Sequence, residues 1–177
     1  SQVQRILEIA DFYSDISQQD KAIRYYKKAF TLSSDKKQKI EILLDQSSEY
    51  SLNGQFDVAI SLIENAQSLA DTFNENEKTS YIFTLAEIDY NRAIINSSLR
   101  KNDVTLQQLD EMKVKYKDFD VREDVYVSLI NSVRLNEAII KIAISELDGV
   151  DTLLISYIEA YKTISEQFPK KYTSGLS

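Results

Sequence analysis

The 177-residue sequence contains neither cysteine nor histidine. A disulfide framework, a thiolate nucleophile, an imidazole base and a Cys/His metal site are therefore excluded. Only three glycines and one proline are present, which disfavours all-β folds, because their turns need these residues. No glycine-rich phosphate loop occurs. We expect a chain that is not an enzyme and that needs no cofactor or metal.

The charge balance and the apolar runs narrow the range of partners. The chain has 21 basic and 28 acidic residues, a net charge of −7, whereas nucleic-acid binders use Lys and Arg to neutralise phosphates. No apolar run reaches the roughly 18 to 20 residues that span a bilayer. We expect no direct contact of this segment with nucleic acid or a membrane. We also expect a cytoplasmic protein with a protein or peptide partner, and the absence of cysteine is compatible with a reducing compartment.

What the sequence does contain is a repeat of paired apolar helices. Its first copy spaces apolar, small and aromatic residues at helical intervals, at Ile6, Ile9, Ala10, Tyr13, Ala22, Tyr26 and Ala29. The second copy follows 37 residues later, at Leu43, Gln46, Ser47, Tyr50, Ala59, Ile63 and Ala66. A period between 20 and 50 residues indicates a helical repeat array. We therefore predict an all-α fold, a helical-hairpin repeat solenoid.

The helix pattern predicts about eight helices in four antiparallel pairs. Breaks in the pattern place them at about 2–16, 21–33, 35–52, 56–73, 77–99, 104–116, 120–147 and 152–167. Asp20 is predicted to cap the second helix, and Ile6, Ile9, Ala10, Tyr13 and Ile16 to form the packing face of the first. The repeats are predicted at about 3–36, 40–73, 77–117 and 120–168, followed by a tail at 169–177. Because Ser1 enters a helix directly and no initiator Met is present, we expect a fragment of a longer protein.

The two copies resemble the tetratricopeptide repeat. In that family the first helix carries a large apolar residue, an apolar-small pair and an aromatic, and the second carries Ala-x3-aromatic-x2-Ala. The first copy fills all these places, whereas the family's usual Trp is missing from both copies and the second has Gln46-Ser47 in place of the apolar-small pair. The resemblance is specific for about residues 3–73. It implies a right-handed superhelix whose first helices line a concave groove that holds a peptide or a partner helix.

The predicted groove carries carboxylates at its N-terminal end. Asp11 and Asp45 lie at positions not used for packing on the first helices of the two copies. The co-chaperones of this family that grip acidic tails use Lys, Asn and Arg at such places, so we exclude that activity. An apolar or basic peptide suits an acidic groove better by charge complementarity. The alternative is that these carboxylates form a solvated helix face.

The later helices offer amides and guanidinium groups. Asn91 and Arg92 lie on the fifth predicted helix, and Asn131 and Arg134 on the seventh. Asn can bond an extended peptide backbone with both donor and acceptor, and Arg can bind a terminal carboxylate. The alternative is a set of surface residues, with Arg92 paired to Asp89 in its own helix.

These observations leave three functional hypotheses open. The first is a non-catalytic protein-interaction module that binds a peptide or partner helix in its groove. The second is the ligand-sensing C-terminal domain of a bacterial transcription regulator that responds to a peptide pheromone. The third is a structural subunit of a larger complex. The apolar segment from Ala138 to Ile144 is expected to be covered within the stack or, alternatively, to form a homodimer interface.

Overall fold

The computed structural model describes residues 1–116, 124–144 and 149–167, with side chains described outside 124–131, 160, 161 and 163–167. Over these ranges every regular element is an α-helix, which confirms the predicted all-α class. The helices are α1 (Gln2–Asp15), α2 (Gln19–Leu32), α3 (Lys36–Leu52), α4 (Phe56–Ala70), α5 (Glu75–Ser80), α6 (Ile82–Ser98), α7 (Asn102–Lys115), α8 (Asp124–Ala143) and α9 (Val150–Gln167). The predicted tail at 169–177 and the start of the fourth predicted repeat lie outside the described residues.

The chain divides into two compact units, residues 1–101 and 102–177. In the first unit, α1 packs on α2, α2 on α3, and α3 on α4, while α6 packs on both α3 and α4. This stacking of successive helical hairpins agrees with the predicted helical repeat. Ser1 caps α1 by accepting a hydrogen bond from the Gln4 N–H, and Asp35 caps α3 in the same way through the Gln38 N–H.

Three helices of the first unit end in the same backbone motif. A residue with positive φ follows each of α1, α3 and α6: Ser17 at 56°, Gly54 at 72° and Arg100 at 57°. The next N–H then donates to a carbonyl five residues earlier, from Gln18 to Tyr13, from Gln55 to Tyr50 and from Lys101 to Asn96. This is the usual left-handed helix ending. Gly54 thus acts as the predicted stop signal, and Ser17 occupies the same place 37 residues earlier.

The cores of the first unit form where alanines let helices approach closely. One cluster joins α1, α2 and α3 through Ile6, Ala10, Ala22, Tyr26, Ala29 and Ile42. The other joins α3, α4 and α6 through Ile40, Leu43, Leu44, Ala59, Ile63, Ala66, Ala70, Phe73, Ile88 and Ile95. Small residues at the crossings and larger ones around them fit helix packing by ridges and grooves. The predicted packing face of α1 was wrong at two positions, because Ile9 and Ile16 are 41% and 45% exposed.

The departure from the family pattern at Gln46-Ser47 has a structural reason. Ser47 is fully buried, and its hydroxyl donates to the Ala59 carbonyl oxygen at 2.9 Å. A small residue is therefore kept at the α3–α4 crossing, and its polar atom is satisfied. Gln46 is also buried, beside a cavity between α2, α3 and α4.

Two details of the predicted helices are corrected. The predicted helix at 77–99 is divided at Tyr81, so the described residues hold nine helices rather than eight. The Asn74 side chain and Glu77 form a reciprocal capping box that starts α5, and the Tyr81 ring packs against Phe73 with ring centroids 5.2 Å apart. Asp20 does not cap α2, because that helix begins at Gln19 and Asp20 lies within its first turn.

In the second unit, α8 packs on α7 and α9. The buried Glu137 of α8 binds Lys113 of α7 at 2.8 Å, and Lys141 lies 3.6 Å from its other oxygen. Burial lowers the pKa of Lys113, but its hydrogen bonds to Asp110 and Glu137 outweigh this and raise it. These contacts hold α7 against α8. Along the described chain, no helix is both long and apolar enough to cross a membrane.

The apolar segment that begins at Ala138 is covered on one side of α8. Ala138 and Ile140 are buried, as expected for residues within the stack. Ile139, Ile142 and Ile144 are exposed, at 53%, 50% and 37%, so the expectation that the stack covers this segment was wrong for these three side chains.

Candidate functional site

Polar side chains of α1, α3 and α6 meet on one face of the first unit, which we call the polar face. Its members are Asp11 and Ser14 of α1, Asp45, Ser48 and Glu49 of α3, and Glu87 and Asn91 of α6. Ser14 follows Asp11 by three positions, Ser48 and Glu49 follow Asp45 by three and four, and Asn91 follows Glu87 by four, so the residues of each helix share one side. The apolar residues of the same helices point into the two cores. Amphipathic helices that stack side by side therefore produce this face directly.

Two hydrogen bonds hold the N-terminal part of the polar face. The Tyr26 hydroxyl donates to Asp11 Oδ1 at 2.7 Å, and the Ser14 hydroxyl donates to Glu49 Oε1 at 2.5 Å. Tyr26 and Glu49 are almost fully buried, at 4% and 3% exposure. Burial, together with the Asp11 carboxylate, raises the pKa of Tyr26, so its hydroxyl stays protonated and acts as a donor. The Asp11 side chain is thus fixed from α2, and Glu49 from α1.

Glu49 is the least satisfied polar group of this face. Its Oε2 atom is buried and has no hydrogen-bond partner among the residues that the structure describes. A buried polar atom without a partner costs about 1–3 kcal/mol, and more if it is charged. Native proteins therefore rarely leave such an atom without a partner from the protein, an ordered water or a bound ligand.

Asp45 lies one helical turn before Glu49, among other carboxylates. Burial, followed by the charges of Asp11, Glu87, Glu41 and Glu49, raises its pKa from 3.8 to about 7. Its side chain still reaches solvent, and α1, α3 and α6 all place acidic groups around it. Because water reaches Asp45, it screens part of these charges. Asp45 and Asp11, both predicted as groove residues, therefore act on one another.

Asn91 continues the polar face onto α6, whereas Arg92 is paired within its own helix. The Asn91 amide donates to the Glu87 carbonyl oxygen at 2.8 Å, and its Oδ1 lies 3.4 Å from the Ser48 hydroxyl oxygen. Arg92 lies 3.5 Å from Asp89, the intrahelical ion pair that was the alternative to a binding role.

The remaining two predicted site residues belong to the second unit. Arg134 is half-buried on α8. Asn131 is also on α8, and its side chain lies outside the described residues. The structure thus brings together Asp11, Asp45 and Asn91 on the polar face of the first unit.

Three residues that belong to the polar face or bond one of its members were not predicted from the sequence. Tyr26 was assigned to the core alone, and Glu49 and Glu87 were not singled out. For Glu49 a signal existed, because it follows Asp45 by four residues and so shares its side of the helix. Because charged residues usually lie on the surface, the burial of its carboxylate was not predicted.

A separate apolar cavity lies between α2, α3 and α4. Its volume is about 660 Å³, and it is lined by Lys27, Phe30, Thr31, Leu43, Gln46, Leu62, Asn65, Ser68 and Leu69. These residues belong mainly to the second helices of the hairpins. The cavity shares none of its lining residues with the polar face, and it is therefore a competing place for a ligand.

Comparison with known proteins identifies the fold. No protein-family profile matches this sequence, and no curated protein matches it. The chain is similar in structure to BtubC (BKLC) from P. vanneervenii, with a TM-score of 0.70 and 11% sequence identity. The match covers 92% of this chain and 64% of that chain. At this low identity the similarity extends to the fold alone.

Proposed function

We propose that this chain is a non-catalytic protein-interaction module that binds a peptide or partner helix along the polar face. The observation that carries the proposal is the convergence of polar side chains from α1, α3 and α6 on one face. A recognition element spanning several stacked helices suits an elongated ligand, as in other helical repeat proteins. A cytoplasmic location is part of the proposal, and the absence of cysteine is compatible with it.

The resemblance of residues 3–73 to the tetratricopeptide repeat supports the same proposal. It implies that the first helix of each hairpin lines the ligand groove, and the polar face lies on α1 and α3, the first helices of the two copies. The alternative of a peptide-pheromone sensor was based in part on Asn and Arg residues of the fifth and seventh predicted helices. Of these, Asn91 already bonds the Glu87 carbonyl and lies beside Ser48, and Arg92 lies beside Asp89, so we favour the interaction module.

The proposal is tested with peptides selected from a random library displayed on phage. Enriched peptides are synthesised with a fluorescent label, and their dissociation constants are measured by anisotropy. Substitution Ser48→Tyr places a bulky ring on the polar face, and we expect it to weaken binding at least about tenfold.

Ser68→Tyr is the matched control. Ser48 and Ser68 are both exposed on a helix, and each hydroxyl donates to the carbonyl four residues earlier, at 3.1 and 2.9 Å. Ser68, however, lines the apolar cavity. Binding that is lost with Ser68→Tyr and kept with Ser48→Tyr would place the ligand in the cavity and contradict the proposal. The absence of any peptide that binds would contradict it as well.

A further inference from the structure

We propose that the polar face contains a receptor for one arginine side chain of the partner, formed by Asp11, Asp45 and Glu49. We call these three residues the acidic site. This inference rests on the proposed function, because the arginine belongs to the bound peptide or helix. It specifies the chemistry that the partner must present.

The three carboxylates lie at neighbouring positions of α1 and α3, and the charges of Asp11 and Glu49 both act on Asp45. Glu49 and Asp45 are one turn apart on α3, and Glu49 is bonded to Ser14, which lies three residues after Asp11 on α1. Asp11 and Asp45 are exposed, so a ligand can reach them from solvent. Glu49 is 3% exposed and is bonded to α1 through the Ser14 hydroxyl.

The partner missing from this arrangement is a positive charge. The four side chains whose charges raise the pKa of Asp45 are all carboxylates, and of these Glu41 is paired with Lys37. Glu49 Oε2, moreover, receives no hydrogen bond from any described residue. A cation that approaches between Asp11 and Asp45 would compensate all three carboxylates, and burying charges is favourable only when they are paired in this way.

Arginine fits the acidic site better than a metal ion. The described part of the chain has no group of three acidic side chains arranged to hold a metal ion. A guanidinium group is planar and carries five N–H donors, so one group can bond carboxylates on two neighbouring helices. Charge-assisted hydrogen bonds of this kind are about twice as strong as neutral ones.

The test uses N-acetyl-L-arginine methylamide as the probe and the neutral, nearly isosteric N-acetyl-L-citrulline methylamide as its control. Each is titrated into the ¹⁵N-labelled full chain, and the amide shifts of Ser14, Asp45 and Glu49 are followed by NMR. We expect weak, saturable shifts with the arginine probe and none with the citrulline probe. Equal shifts with both probes, or none with either, would overturn the inference.

Two variants of the acidic site and one control show which carboxylates bind the arginine probe. We expect Asp45→Asn and Glu49→Gln each to weaken binding of the arginine probe at least about fivefold. Glu64→Gln removes the same charge from an exposed position on α4 and should change binding less than about twofold. Equal losses for all three variants would mean attraction by net charge alone and would overturn the inference. If Ca²⁺ displaces the arginine probe at a concentration below the one at which the probe binds, the inference is overturned as well.

The outcome is separable from that of the proposed function. Library peptides that lack arginine and are blocked by Ser48→Tyr would leave the interaction module intact and overturn the arginine receptor. Saturable binding of the arginine probe at the acidic site, without any library peptide on the polar face, would support the receptor and contradict the peptide-binding module.

Discussion

At the scale of single residues, Asp45 makes the stability of the first unit sensitive to pH. Burial and neighbouring carboxylates raise its pKa to about 7, from 3.8 in an unfolded chain. The folded state therefore holds its proton over a range where the unfolded state has released it. The contribution of the protonated Asp45 to stability is fully present below about pH 4 and is lost as the pH rises through 7.

We expect Asp45→Asn to remove part of this pH dependence. The variant should match the wild type at pH 4 and exceed it at pH 8 by on the order of 1 kcal/mol, a small value because water screens the exposed side chain. Urea unfolding at pH 4, 6 and 8 measures this difference. Glu64→Gln is the control and should keep the wild-type pH profile, since it lies outside the acidic site.

The other titratable groups around Asp45 still make stability depend on pH after this substitution. Asp11 of α1, Tyr26 of α2, and Glu41 and Glu49 of α3 stay in place. Burial, followed by the charge of Glu41, also raises the pKa of Glu87 on α6, while Lys37 lowers it. A residual loss of stability between pH 4 and 8 is therefore expected. An Asp45→Asn variant no more stable than the wild type at pH 8 would contradict the role given to Asp45.

The left-handed residues that end α1 and α3 give a second prediction. Ser17 has φ 56°, a backbone conformation that strains a residue with a side chain. Gly54 has φ 72°, and the space that a Cβ atom would occupy there is open. Ser17→Gly should stabilise the chain by up to about 1 kcal/mol, and Gly54→Ala should destabilise it by about 1 kcal/mol. Thermal unfolding followed by circular dichroism measures both changes.

Ser61→Gly controls for the general effect of introducing glycine. Ser61 lies inside α4 and is exposed, so glycine there should destabilise the chain by about 1 kcal/mol. If Ser17→Gly stabilises the chain and Ser61→Gly destabilises it, the gain at Ser17 comes from its backbone conformation. A loss of stability with Ser17→Gly would contradict the left-handed ending of α1.

At the scale of helices, the repeat depends on alanines that permit close crossings. Ala66 is fully buried in the core between α3, α4 and α6. Ala66→Leu overfills this space and should cost about 1–3 kcal/mol of unfolding free energy. Ser61→Leu adds a similar side chain on the exposed side of α4 and should change stability by less than about 0.5 kcal/mol. If both substitutions lower the unfolding free energy in urea by the same amount, the close helix crossing at Ala66 is contradicted.

In the second unit, one buried carboxylate joins two helices. Glu137 binds Lys113 at 2.8 Å and Lys141 at 3.6 Å, so Lys113→Met should cost about 1–2 kcal/mol and Lys141→Met clearly less. A double-mutant cycle of Lys113→Met and Glu137→Gln should give a coupling energy of about 1 kcal/mol or more. A coupling energy near zero would show that the ion pair does not hold α7 to α8.

The helices themselves could be predicted closely from the sequence, because apolar spacing and turn residues act locally. α1 and the stop at Gly54 followed from such signals. The break at Tyr81 did not, because it accompanies a ring contact with Phe73 that no local pattern encodes. For the same reason the exposure of Ile9 was missed, since periodicity shows which side of a helix is apolar but not whether a neighbour covers it.

At the scale of the whole molecule, the candidate site was predicted only in part. Asp11, Asp45 and Asn91 were assigned to the groove from repeat positions, and the structure places them on the polar face. Glu49 depends on how deeply α1 and α3 pack, and periodicity does not report that depth. The fold is shared with BtubC (BKLC), but at 11% identity the surface chemistry has to be argued from this chain's own side chains.

The most direct test of the interaction module is to map where a selected peptide binds on the full chain. An enriched library peptide is titrated into the ¹⁵N-labelled protein, and amide shift changes are assigned along the first unit. We expect the largest changes at Ser14, Asp45, Ser48 and Asn91, on α1, α3 and α6. Changes concentrated at Phe30, Leu62 and Leu69 would place the ligand in the apolar cavity and contradict the polar face as the binding surface.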